Sequence, residues 1–97
     1  MTDDGANVVE LAAVLDLNAA APLRERLLAQ RGSAVVVDAS KVERIGGQCL
    51  QVLLSARQSW QCDGMAFSIT RASHNFASAI RQMGFAADLA PAMETTR

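Results

Sequence analysis

Few residues of this chain are equipped for chemistry. It has one histidine, His74, and two cysteines, Cys49 and Cys62. A metal site needs several His, Cys or carboxylate groups converging on one point, and this set is too sparse to expect one. Cys49 falls near the start of an expected helix, where the positive helix end would activate an exposed thiol. The plainer expectation is a small, partly buried side chain in a helix turn, and Cys62 carries less signal still. His74 follows Ser73, which reads as a helix cap, and no nucleophile is spaced to pair with it, so a solvent-facing histidine is expected. Neither a GxxxxGK[ST] phosphate loop nor a GxGxxG fingerprint occurs. What remains is Gly46-Gly47 at a helix start, with Lys41 and Arg44 just upstream. Free backbone N–H groups there could hold an anion, or the glycines could simply serve a tight turn. Asp38 has two compatible readings: a carboxylate offered to a partner at a strand end, or a turn-former bonding the backbone around Ser40 and Lys41.

These residues must be positioned by the elements around them. Val8, Val9 and Leu11, then Val14 and Leu15, read as a short strand pair or a bent strand. From Asn18 to Gln30 the period becomes helical, with Ala20, Leu23, Leu27 and Leu28 on one face. Asp16 or Asn18 caps this helix, Pro22 belongs in its first turn, and Gly32 suits the residue after its end. Ala34–Val37 is an unbroken apolar run, which predicts a central strand covered on both faces. Val42 and Ile45 return the chain to the core, and Gly46-Gly47 allow a tight approach into a helix over Gln48–Gln61 that buries Leu50, Leu53, Leu54 and part of Trp60. Gly64 stops it. Met65–Thr70 alternates as a strand, Ser73 caps a helix with Phe76, Ile80 and Met83 on one face, and Gly84 ends that helix. Phe85 and Leu89 fold back onto the core, and a mobile polar tail is expected from Glu94. The order β, β, α, β, α, β, α makes one α/β domain, its working surface where Asp38 emerges and the helix after Gly46-Gly47 begins.

Composition narrows the function. The chain has 97 residues, 9 Lys plus Arg against 10 Asp plus Glu, a net charge of -1 and 51% hydrophobic residues. That length suits one core. The charge balance offers nothing to wrap nucleic acid or adsorb to an anionic membrane. The longest stretch without a charged residue, Ile45–Ala56, is well short of the roughly 18–20 residues a membrane-spanning helix needs. The acidic start Met1–Gly5 is unlike a secretory signal, so a cytoplasmic protein with reduced thiols is expected.

The segment Val35-Val36-Val37-Asp38-Ala39-Ser40-Lys41-Val42-Glu43-Arg44-Ile45-Gly46-Gly47-Gln48-Cys49-Leu50-Gln51-Val52-Leu53-Leu54 resembles the central signature of STAS domains, the anti-sigma factor antagonist family. There an apolar strand ends in Asp, a short turn follows, and an Asp-Ser-Ser-Gly-Leu-like motif opens a helix with paired leucines. Leu15-Asp16 ahead of the Leu23 helix, and Met83-Gly84-Phe85 near the end, are similar to the family's outer elements. The resemblance implies a STAS-like single domain over residues 1–97, with its core at about 8–89 and flexible termini. It implies a small mixed β-sheet of four to five strands covered by three to four α-helices.

The departure from the motif is informative. Members switched by phosphorylation carry a hydroxyl on the second serine; here Gln48 stands there, with Gly46, Gly47 and Cys49 at the other three places. A glutamine amide cannot accept a phosphoryl group in that way, so no phosphorylation is expected at Gln48. Ser40 and Ser55 lie near the same surface as substitutes. STAS domains generally bind proteins, many of them kinases of the histidine-kinase superfamily. The run from Gly46 to Leu54 is similar to stand-alone STAS proteins of bacterial chemotaxis systems, of the CheS type. The resemblance thus implies a non-enzymatic adaptor, without cofactor, that binds a chemotaxis-type histidine kinase and modulates phosphoryl signalling. Its contact residues would be Asp38, Ser40, Arg44, Gly46, Gly47, Gln48, Gln51 and Ser55, since Gln48, Gln51 and Ser55 recur along one helical face. The alternatives are an anti-sigma factor antagonist-like protein, a subunit associated with a lipid-transport ATPase, and, last, a small anion- or nucleotide-binding or thiol redox protein.

Overall fold

A computed structural model of the chain describes residues 7–93. The expectations for Met1–Gly5 and for the tail from Glu94 lie outside the described residues. The elements run β1 (Asn7–Glu10), β2 (Val14–Leu15), a 3-10 turn (Leu17–Ala19), α1 (Ala20–Leu28), β3 (Val35–Asp38), β4 (Arg44–Ile45), α2 (Gly47–Cys62), β5 (Phe67–Thr70), α3 (His74–Gln82), α4 (Ala86–Leu89) and a 3-10 turn (Ala90–Ala92). No helix among the described residues is long and apolar enough to cross a membrane.

Among the described residues, the five strands and four helices fall within the expected numbers. The pairing differs from a mixed sheet: β1–β3, β3–β5 and β2–β4 are all parallel, as is the isolated bridge Ile69–Met93. A helix separates β1 from β3 and β3 from β5, and such crossovers suit parallel neighbours. β1 and β2 are separate strands that do not pair with each other. β1 joins the three-stranded sheet β1-β3-β5, and β2 joins β4, a strand the sequence pattern does not announce.

β3 is central, but its burial is one-sided. Val35 and Val37 are fully buried, whereas Val36 and Asp38 are half-buried. The inner row Val9–Val37–Ile69 crosses all three strands and is the sheet's contribution to the core. On the other face Val36 registers with Val8, and this cross-strand pairing of two valines explains an apolar run without full cover. Against the inner face lie Leu23 and Leu27 from α1, Leu50, Leu53 and Trp60 from α2, Phe76 and Ile80 from α3, and Leu89 from α4. Leu54 is only half-buried. Two further residues expected inside are not: Leu28 is 43% and Met83 45% exposed. Leu28 closes α1 at the margin of its apolar stripe, and Met83 lies one residue beyond α3.

Candidate functional site

The start of α2 stands on a loop held from two sides. From the β2 side, the Ala13 carbonyl accepts N–H bonds from Glu43 (2.7 Å) and Arg44 (3.0 Å), and Leu15 accepts from Gly46 (3.0 Å). From α3, the Ser73 hydroxyl donates to the Val42 carbonyl at 2.7 Å and accepts the Phe76 N–H at 3.0 Å, so one side chain caps its helix and ties down the loop. The Asn75 amide donates to the Glu43 carbonyl at 3.1 Å. A segment satisfied this way presents the α2 N-terminus in a preorganised position, which lowers the ordering cost of docking.

The glycines there are not structural. Gly64 and Gly84, which end α2 and α3, have φ of +70° and +82°, where other residues are strained. Gly46 caps α2 at φ -96°, ψ 171°, and neither it nor Gly47 has a positive φ. A Cβ on Gly46 would meet only the Leu15 carbonyl at 3.8 Å, an ordinary contact, and one on Gly47 would meet nothing within 4 Å. The expected tight approach is therefore absent. These glycines keep a surface low and open.

The eight expected contact residues do not all line one groove. Gln48, Gln51 and Ser55 are exposed and share a wall of the groove between α1 and α2. Arg44 and Gly46 line a second groove between the β2–β4 pair and α3. Gly47 is exposed at the head of α2, where these two lining sets meet in sequence. Asp38 and Ser40 line neither groove. The Asp38 carboxylate accepts the Ser40 N–H at 2.9 Å, and its pKa is lowered first by hydrogen bonding to Ser40, with smaller help from the charges of Arg71 and Lys41. That is the turn-forming role. Sequence reasoning missed Arg24, Leu28, Arg31 and Ser59, which complete the first groove. Their one signal was that Arg24 and Arg31 flank the Leu27-Leu28 pair. It also missed Arg71, held at φ 58° just past β5.

Cys49 is fully buried, and its thiol donates to the Asp16 carbonyl at 3.4 Å. Burial first, and the Asp16 charge second, push its pKa up, the direction that suppresses thiolate. Cys62 is exposed. A thiol reagent should therefore modify a single site, Cys62, in the native protein and reach Cys49 only on unfolding. Absorbance titration with peptide mapping checks this, and fast labelling of Cys49 would restore the redox alternative.

With this geometry in place, the comparison with known families is decisive: the family model described as "Mlab, STAS domain" matches residues 2–91. The chain belongs to the STAS domain family. Solved structures agree on the fold. A sulfate transporter family protein from Wolinella succinogenes superposes with a TM-score of 0.78 at 16% identity, over 96% of this chain and 79% of that one. A protein from Thermotoga maritima described as an anti-sigma factor antagonist gives 0.73 at 17% identity, over 92% and 80%. No curated protein matches in sequence. STAS domains act through protein partners and are generally non-catalytic, which fits a surface whose clearest features are a stiff loop, two bare glycines and an uncharged helix face.

Proposed function

We propose that this STAS domain is a non-catalytic adaptor that binds a bacterial signalling histidine kinase of chemotaxis type and modulates the flow of phosphoryl groups. The observation that carries the reading is the outward face of α2. Gln48, Gln51 and Ser55 are exposed along it, Arg57 is the only charged residue in the whole helix, and the two glycines before Gln48 are not required by the fold. Exposed helices are normally rich in charge; a neutral stripe beside a low platform costs little to desolvate and suits an interface. With Gln48 where a phosphorylatable serine would stand, docking at this face is constitutive. The adaptor acts by changing which phosphotransfer partners meet.

The test is affinity capture from the native cell extract with mass spectrometry, for the wild type and for Gln48→Arg. A histidine kinase captured by the wild type and lost from the folded variant is the expected result. Equal capture by both would remove this face from the interface. A second reading, a subunit associated with a lipid-transport ATPase, stays within the same family, whose matching model is described as "Mlab, STAS domain". Capture of a transport ATPase and no kinase would establish it instead.

A further inference from the structure

The groove between α1 and α2 is lined by cationic and no anionic side chains. Its walls carry Arg24 and Arg31 and no carboxylate, while the chain's net charge is -1. Between the arginines the surface is apolar: Leu28 is 43% exposed and Val52 is half-buried. The facing wall from α2 contributes the uncharged Gln51 and Ser55. Arg24 is exposed and enters no salt bridge among the described residues. Arg31 is anchored by Asp63, with Nε at 2.8 Å and Nη2 at 3.2 Å from its two oxygens. This pairing offsets the Arg31 charge and fixes its side chain at the groove's end, but a guanidinium has five N–H donors, so some are left free for a further acceptor. The two arginines are seven residues apart, and the Arg31 N–H still bonds the Leu28 carbonyl at 3.1 Å, so the chain keeps a helix-like path. Seven residues is about two turns, or roughly 10 Å along the axis.

We propose that this groove receives an acidic amphipathic helix of the protein partner, with two carboxylates about seven residues apart facing Arg24 and Arg31 and an apolar side chain between them on Leu28 and Val52. The inference deepens the adaptor reading and rests on it, in that α2 is taken as the contact surface. Paired charges of this kind set the register and speed encounter, while the apolar contact in the groove supplies affinity.

The experiment pans the full chain against a displayed library of 18-residue amphipathic helices with randomised charged positions, then titrates the best peptide by NMR. Enrichment of Asp or Glu at positions i and i+7 is expected, with amide shifts centred on Leu28, Gln51, Val52 and Ser55. Arg24→Glu should weaken the peptide at least tenfold, and changing the facing Glu of the peptide to Lys should restore it. Selected helices with no acidic preference, shifts confined to other surfaces, or unchanged affinity in Arg24→Glu would overturn the proposal. So would a concentration-dependent dimer of the protein that Arg24→Glu dissolves, since a second copy would then be the occupant. Absence of a kinase in the extract capture leaves the peptide result standing and sinks only the kinase reading. A groove indifferent to acidic helices, beside intact kinase capture, sinks only the groove.

Discussion

Replacing Gly47 by tryptophan will reduce partner affinity at least 100-fold, about 2.7 kcal/mol at 25 °C, without unfolding the protein. The two halves of this expectation have separate causes. Gly47 is exposed, begins α2, has no positive φ, and has no atom within 4 Å of the place a Cβ would take. The indole therefore projects into solvent, and the fold loses nothing it uses. Because glycine is about 1 kcal/mol worse than alanine within a helix, and tryptophan less so, the urea midpoint should hold or rise slightly. At an interface the same side chain is a wedge. It stands on the low platform formed by Gly46-Gly47 and keeps a partner from closing onto Gln48 and Gln51. Circular dichroism in urea and calorimetric titration with the captured kinase check the two halves separately. Affinity kept within threefold would show that the platform faces away from the partner. A collapsed midpoint would show a structural demand for glycine that the backbone does not reveal.

The contrast between Gly47 and Gly64 shows what the sequence could and could not convey. Both are glycines near the ends of α2, but one is demanded by a left-handed backbone and the other is free. Sequence spacing identified Gly64 as a helix stop, because helix periodicity breaks there. It also assigned Gly46-Gly47 to a tight turn, which the geometry does not support. Strong local signals came through well: the apolar run of β3, the leucines of α2 and the Ser73 cap. What stayed hidden depends on contacts between distant segments. β4 has two residues, too few for any period to show, and it pairs with β2 because the Ala13 and Leu15 carbonyls accept bonds from Glu43, Arg44 and Gly46. The candidate site was half legible for the same reason. Gln48, Gln51 and Ser55 share a face by helical spacing alone, whereas Arg24 and Arg31 become their neighbours only when α1 packs on α2.

Trp60→Ala will cost about 3–5 kcal/mol, a large share of the roughly 5–15 kcal/mol that holds a small domain together. Trp60 is 1% exposed, among the largest fully buried side chains of the core. Its ring lies 5.9 Å from that of Phe67, inclined at 59°, an arrangement favourable beyond simple burial. Its Nε1–H donates to the Ser33 carbonyl at 2.8 Å, clamping the later half of α2 to the segment entering β3. The Met65 N–H bonds the Trp60 carbonyl at 2.9 Å, so the same residue also sets the path into β5. Truncation removes area, ring packing and the donor together. Trp60→Phe separates these contributions: it keeps most of the apolar area but strands the Ser33 carbonyl, for a smaller loss of about 1–3 kcal/mol. Urea melts of both variants followed by circular dichroism give the two values. Equal losses would make the hydrogen bond the dominant contribution, and a loss under about 1 kcal/mol for alanine would mean that α2 is held by its N-terminal half alone. Because Trp60 also lines the groove beside Ser55 and Arg31, the alanine variant should bind partner weakly even where it remains folded. The phenylalanine variant, with α2 still seated, should bind nearly as the wild type does.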